Sequence, residues 1–249
     1  MNRAARAKEA AKFRASKKAE RLYVKDLRGI MQRVHTGYLK ALAPKLRHDG
    51  ISTYGQALDG ADSLLVRYVR HQTGQAFDRM SATVKKKHAN PLPVQLIGIH
   101  PEAAMLPVIA TFRDANIALM EKAGRTYAAQ VREVIDENYG LRAEDLAPLL
   151  QERASVSESR AELIARDQTL KLNGQINAAK QQGAGVTQYI WSTSADERVR
   201  PDHADLDGET FTWGDPPITD QSTGARNEPG QDFQCRCVPL PVIEEFDGI

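Results

Sequence analysis

Only two of the 249 residues are cysteine, too few for the disulfide framework of a small secreted domain. No unbroken run of about 18 apolar residues occurs, which predicts no membrane span. The N-terminal stretch is too basic and polar to supply the apolar core of a signal peptide, which predicts no Sec-type export and a cytoplasmic place of synthesis. No G-x-x-x-x-G-K-S/T run is present, so P-loop ATP hydrolysis is disfavoured. No repeat of fixed period runs through the chain.

What is present suffices for a buried core: 41% of residues are hydrophobic, and the length allows one domain or two. The net charge of +2 conceals a polarity. Residues 1–50 hold 14 of the 34 Lys and Arg against 4 of the 32 Asp and Glu, a local +10, so the remainder carries −8. Such a basic arm on an acidic body suits an anionic partner, and Arg3, Arg6, Lys8, Lys12, Arg14, Lys17, Lys18 and Arg21 are the candidate nucleic-acid contacts. The competing reading is a solvated helix, or one folded back on the acidic body.

Helical spacing dominates the first three quarters. Residues 2–18 have good helix propensity but almost no apolar stripe. From Leu22 an apolar series through Val24, Leu27, Met31, Val34 and Tyr38 predicts a packed helix ending before Pro44. The Gly-containing stretch 49–60 predicts a break, and Leu65, Tyr68, Val69, Phe77, Met80 and Val84 a helix stopping at Asn90-Pro91. Residues 91–100 read as extended. A long helix follows through Ile109, Phe112, Leu119, Ala123, Tyr127, Val131, Val134 and Ile135, with Pro107 marking its start or kinking it and Gly140 ending it. A short helix over about 142–150, broken at Pro148, is expected to precede another that is capped by Ser157 or Ser159 and ends near Gly183.

After Gly185 the pattern changes. Val186–Trp191 has the composition of a strand. Residues 192–197 read as a turn, with Asp196 placed to accept from neighbouring amides. Arg198 and Arg200 flank Val199 in an expected extended segment, either ion-paired with Asp196, Asp202 or Asp205 or facing phosphate. Asp207-Gly208 favours a tight turn, after which Phe211 and Trp213 resume alternation. Cys235 and Cys237 are expected to share one face of a strand with Arg236 turned away. Trp191 and Trp213 read as anchors of a small core.

The tail resembles the phage Mu F-like head-morphogenesis family, the minor capsid proteins of tailed phages. The resemblance rests on Ala165–Thr169 (ARDQT), Trp191–Thr193 (WST), Asp196–His203 (DERVRPDH), Leu206–Gly208 (LDG) and Pro229–Cys237 (PGQDFQCRC), in that order over about 75 residues. Trp191, Asp196, Arg198, Arg200 and Gly208 are its structural motif positions. A polar insertion over 219–226 departs from the pattern, and the first 90 residues carry no family motif. The resemblance implies a low-copy virion protein at the portal vertex, assembled in the host cytoplasm. Its implied partners are the portal protein, DNA and capsid or scaffold protein, with no membrane.

The residues keep other readings open. Asp196, Asp202, His203 and Asp205 could serve a metal-dependent nuclease, but no second histidine lies nearby. Cys235 or Cys237 with His203 could form a nucleophile pair. His203, Cys235 and Cys237 could hold a structural zinc, with Asp202 or Asp205 as the fourth ligand; buried reduced thiols and a disulfide are the alternatives. No catalytic residues are assigned. The sequence thus predicts a mainly α protein: an elongated helical body with a small C-terminal α+β module of short strands. Its divisions are a basic N-terminal helical arm (1–48), a helical body (49–153) and a Mu F-like C-terminal module (154–249). The function expected is a non-catalytic minor head protein, or alternatively a nucleic-acid-binding virion protein delivered with the genome.

Overall fold

The computed structural model describes residues 3–42, 54–89, 101–138 and 143–243. The chain is mainly α with a small C-terminal module of short antiparallel strands. Helices α1 (Arg3–Phe13), α2 (Lys17–Leu42), α3 (Tyr54–His88), α4 (Pro101–Glu137) and α5 (Ala143–Gly183) precede β1 (Gln188–Ser192), α6 (Pro201–Asp205), β2 (Thr210–Thr212), β3 (Ile218–Asp220), β4 (Ala225–Arg226) and β5 (Val238–Pro241). They form two compact units, one of residues 1–20, 81–112 and 167–249, the other of 21–80 and 113–166. Each unit therefore draws on separate stretches of chain, a different division from the consecutive segments 1–48, 49–153 and 154–249.

In the second unit, α2 buries Leu27, Met31, Val34 and Tyr38 of the expected series together with Tyr23 and Ile30, while Leu22 and Val24 are only half-buried. The Tyr23 ring meets Phe77 of α3 edge-on at 6.2 Å, and its hydroxyl donates to Asn116 Oδ1 of α4 at 2.8 Å. Burial raises the Tyr23 hydroxyl far above its usual range, so it stays a donor. Helix α4 is long and apolar enough over Ala103–Glu137 to cross a membrane, by length and composition alone. The expectation of no span rested on unbroken apolar runs, and α4 reaches its hydropathy with Arg113 and Asp114 inside it. Only 22% of the apolar window of α4 is buried, and the buried side chains Met120, Ala123, Tyr127, Val131 and Val134 lie toward its C-terminal half.

Three expectations change. First, the N-terminal segment is two helices, because Ser16 accepts from the Ala19 amide at 3.2 Å and caps α2. Second, Gly55 and Gly60 lie within α3. Third, α5 is one helix through Pro148 and Ser155–Ser159. Pro148 sits in its second turn and forfeits one backbone bond, while Leu146, Leu150, Ala154, Ala161 and Ala165 bury a continuous face. Packing overrides the local stop signals. Pro107 likewise lies inside α4 without ending it. The expectations for 91–100 and Gly140 lie outside the described residues.

In the first unit, α1 has the stripe that its sequence scarcely advertises. Ala10 and Phe13 are buried with Val238 and Leu240 of β5, and Ile190 packs against them. The carbonyl of Phe13, left over at the end of α1, accepts from Asn173 Nδ2 at 2.8 Å and Asn177 Nδ2 at 2.7 Å. Asn173 Oδ1 in turn accepts from buried His88 Nε2 at 3.0 Å, and Lys180 donates to the His88 carbonyl at 2.9 Å. Strands β2, β1 and β5 form an antiparallel sheet in that order, pairing Tyr189 with Phe211 and Trp191 with Pro239. Strands β3 and β4 form a separate two-stranded sheet.

Removing the Phe13 side chain should open a cavity beside Val238 and Leu240. Phe13→Ala is expected to cost about 3 kcal/mol, read as a lower urea midpoint for the loss of first-unit structure. An unchanged midpoint would mean that α1 is not docked.

Burial pushes His88 down to about 4, against the hydrogen bond it donates to Asn173, which favours the charged ring. Its folded pKa is below the unfolded value, so the unfolded chain binds the extra proton. The stability it confers is present above about pH 6.5 and is lost as pH falls toward 4. The loss should reach about 3 kcal/mol, and His88→Gln should flatten that part of the stability profile between pH 6.5 and 4.

Candidate metal centre

The C-terminal half of α5 supplies three fixed points, seven residues apart and hence on one helical face. Asp167 Oδ1 accepts from the Gln234 amide at 2.8 Å. Gly174 faces the turn at Pro229-Gly230 so closely that a Cβ would lie 2.8 Å from the Pro229 carbonyl oxygen. Gln181 Nε2 donates to the Pro239 carbonyl at 3.0 Å. Together they hold residues 229–239 along the helix. Gly230 takes φ +87° in the turn, and Gln234 takes φ +56°, a strained left-handed conformation that the Asp167 bond holds in place.

Past Gln234 the chain alternates. Cys235 and Cys237 turn to one side and Arg236 to the other, where it clasps Asp196 at 2.5 and 2.6 Å. The expected common face of the two cysteines is therefore present, although β5 begins only at Val238. That hydrogen-bonded ion pair holds the Asp196 carboxyl down at about 2, and Asp196 Oδ1 also accepts from the Arg198 amide at 3.1 Å. The network expected for Arg198 and Arg200 is corrected accordingly. Residues 196–200 form a turn rather than an extended segment, Arg198 is exposed, and Arg200 donates to the Phe233 carbonyl at 2.6 Å. The Pro201 ring suits the first turn of α6, a short helix where the sequence suggested none.

That helix brings His203 to the cysteines. His203 Nδ1 lies 3.5 Å from Cys235 Sγ and 3.5 Å from Cys237 Sγ. The three ligand atoms lie within 4.8 Å of one another, and all three residues are buried. His203 Nε2, on the far side of the ring, is 3.2 Å from Asp232 Oδ2. This is an ion-pair approach off the line of a good hydrogen bond, and neither atom has another hydrogen-bond partner. Trp191 stands edge-on to the imidazole at 5.6 Å, within a small core of Tyr189, Trp191 and the cysteines flanked by Leu206, Phe211 and Trp213.

The electrostatics favour one negative sulfur. The hydrogen bond from Cys237 draws the Cys235 thiol down against the cost of burial, helped by His203. Cys237, bonded to that sulfur and buried, is pushed up. Burial alone would lower His203, yet the Cys235 sulfur and the Asp232 carboxylate outweigh it and leave the ring raised. The cluster can thus bind a soft cation, or hold a thiolate against an imidazolium.

Of the carboxylates expected beside this cluster, Asp202 accepts from the Gln221 amide at 2.9 Å and Asp205 is exposed. Asp232 takes the place beside the ring. Its signal was its position in PGQDFQCRC, three residues before Cys235. Asp167 and Gly174 were legible only as a seven-residue spacing on a helix. The LDG motif closes the sheet edge: Asp207 Oδ1 accepts from the Thr193 amide at 2.9 Å, and the Gly208 amide, at φ +97°, donates to the Trp191 carbonyl at 2.8 Å.

The basic N-terminal residues divide into two sets. Arg6 pairs with Asp207 at 2.6 Å, and Arg14 donates to the Thr193 carbonyl at 3.4 Å. Lys8, Lys12, Lys17, Lys18 and Arg21 are exposed, Lys12 within reach of Glu9 at 2.7 Å. The side chain of Arg3 lies outside those described.

A family model described as phage Mu protein F like protein matches residues 110–240, just over half of the chain. The match takes in α5, the strands as far as Leu240 in β5, and the whole His/Cys cluster. The chain belongs to this family of phage head-morphogenesis proteins. It is also similar to an uncharacterized protein of Haemophilus influenzae (strain ATCC 51907 / DSM 11121 / KW20 / Rd), 36% identical over 136 residues. That alignment covers 54% of this chain but only 29% of the Haemophilus protein. No solved structure matches.

The contact at Gly174 is the most demanding in the module. Gly174→Ala should force the Pro229 carbonyl away from α5 and cost about 1–3 kcal/mol. The expected readout is faster proteolysis within residues 227–238, and unchanged protection would show that the turn is not seated on the helix.

Proposed function

We propose that the protein is a non-catalytic minor head protein of a tailed phage, bound at the portal vertex, where it aids head assembly and DNA packaging or ejection. Membership of the phage Mu protein F-like family is the observation that carries this reading. Two features support it. The polar motif residues are engaged in scaffolding: Asp196 with Arg236, Arg200 with the Phe233 carbonyl, Asp207 with Thr193. The second unit also leaves apolar side chains outside, Val156 at 51% and Leu163 at 45% exposed, seven residues apart on α5. Such a pair suits a protein partner, and in this reading that partner is the portal, with capsid or scaffold protein beside it. The virion is the destination and the host cytoplasm the place of assembly.

Co-expression with the cognate portal protein tests the reading directly. The full chain should co-purify with portal at moderate salt, and so should a chain lacking residues 1–20. Val156→Ser with Leu163→Ser should weaken association about tenfold. A chain that never co-purifies with portal would overturn the assignment.

A second reading, a nucleic-acid-binding virion protein delivered with the genome, rests on exposed Lys8, Lys17, Lys18 and Arg21. Phosphate contacts of this kind give sequence-independent binding that falls steeply with salt. Replacing these four residues by Gln should flatten the dependence of log K on log salt by about 3–4 units if all four meet phosphate. An unchanged slope would leave them as solubilising residues.

A further inference from the structure

We propose that His203, Cys235 and Cys237 form a zinc site, with His203 Nδ1 as the ligating nitrogen and Asp232 as the positioning residue on the opposite side of the ring. The geometry carries the argument. Zinc binds thiolate sulfur at about 2.3 Å and imidazole nitrogen at about 2.0 Å, so tetrahedral angles place sulfur and nitrogen about 3.5 Å apart. Nδ1 lies 3.5 Å from both sulfurs. A neutral Nδ1 has a single lone pair and can accept one thiol proton, not two. Two equal separations of this length fit a cation shared by the three atoms.

The far side of the ring agrees. A metal on Nδ1 fixes the proton on Nε2, and that proton needs an acceptor. Asp232 Oδ2 stands 3.2 Å away with no hydrogen-bond partner, as does Nε2 itself. A small rotation of either side chain converts the contact into a carboxylate–histidine–metal relay. Burial favours the same conclusion over a nucleophile pair, since Cys235 is 4% and Cys237 5% exposed, leaving an incoming substrate little of either sulfur to reach. With three protein donors, a solvent molecule completes the tetrahedron. The ion would tie α6 to the segment entering β5, two parts of the tail more than 30 residues apart in sequence.

The test uses the full chain, purified under reducing conditions without chelator from cells grown with added zinc. About one zinc per chain is expected. After the zinc is exchanged for cobalt, the protein should show thiolate-to-cobalt charge-transfer bands and the strong visible bands of tetrahedral cobalt. Cys235→Ser and Cys237→Ser should each weaken the charge-transfer bands, and His203→Ala should abolish stoichiometric binding. Asp232→Asn should keep the cobalt spectrum but lower metal affinity by about 10- to 100-fold, which a merely structural role would not do. The proposal fails if folded wild-type protein, with both thiols shown to be reduced, binds neither zinc nor cobalt. It also fails if one cysteine of that folded protein is alkylated rapidly by iodoacetamide whether or not zinc is added, the behaviour of a thiolate–imidazole pair.

Discussion

The rest of the C-terminal module depends on the missing side chain of Gly174. Because α5 has only hydrogen there, the turn at Pro229-Gly230 can lie against the helix, its carbonyl oxygen in the space a methyl would fill. From that contact the chain runs along one helical face, held by Asp167 and Gln181 one heptad to either side. Asp167 holds Gln234 in a left-handed conformation that an ordinary side chain resists by about 1 kcal/mol or more. That conformation sets the phase of the alternation that follows. Cys235 and Cys237 then face His203, and Arg236 faces Asp196. Short motifs scattered over some 70 residues of sequence meet because one helix fixes the start of the last segment.

The polarised charge of the sequence has a partly internal explanation. Arg6 lies over the LDG turn, where a side chain on Gly208 would meet its guanidinium at 2.6 Å, and it pairs with Asp207, the same carboxylate that holds Thr193. Bonds from Thr193 and Arg6 keep Asp207 below the usual carboxylate range despite its partial burial. Arg14 is drawn to the end of β1 in the same way. Two of the eight basic candidates thus fasten the N-terminal helix to the acidic tail.

Elements with a clean period were legible in the sequence. The face of α2, the strand Val186–Trp191 and the common side of Cys235 and Cys237 all follow from spacings of 3.6 or 2. Local punctuation misled where packing outweighed it. Pro148 and the serines of 155–159 marked a break in a helix whose apolar face continues without interruption. The partner of His203 was misplaced for a different reason. Asp202 and Asp205 are its neighbours in sequence, but residues one and two apart on a helix face different sides, and the carboxylate comes instead from a distant loop. Asp167 lies in the ARDQT motif and Gly174 seven residues on, but nothing on α5 itself reveals what lies against them.

The bounds of the family match sharpen this picture. Residues 110–240 include all of α5, which the cluster needs as its platform, and end at Leu240 within β5. They omit α1, yet Ala10 and Phe13 cover Val238 and Leu240, and the Phe13 carbonyl joins Asn173 and Asn177 of α5 to the end of α1. The family region therefore carries the residues that build the cluster, while the outer face of its last strand is closed by a segment roughly 100 residues before the region begins.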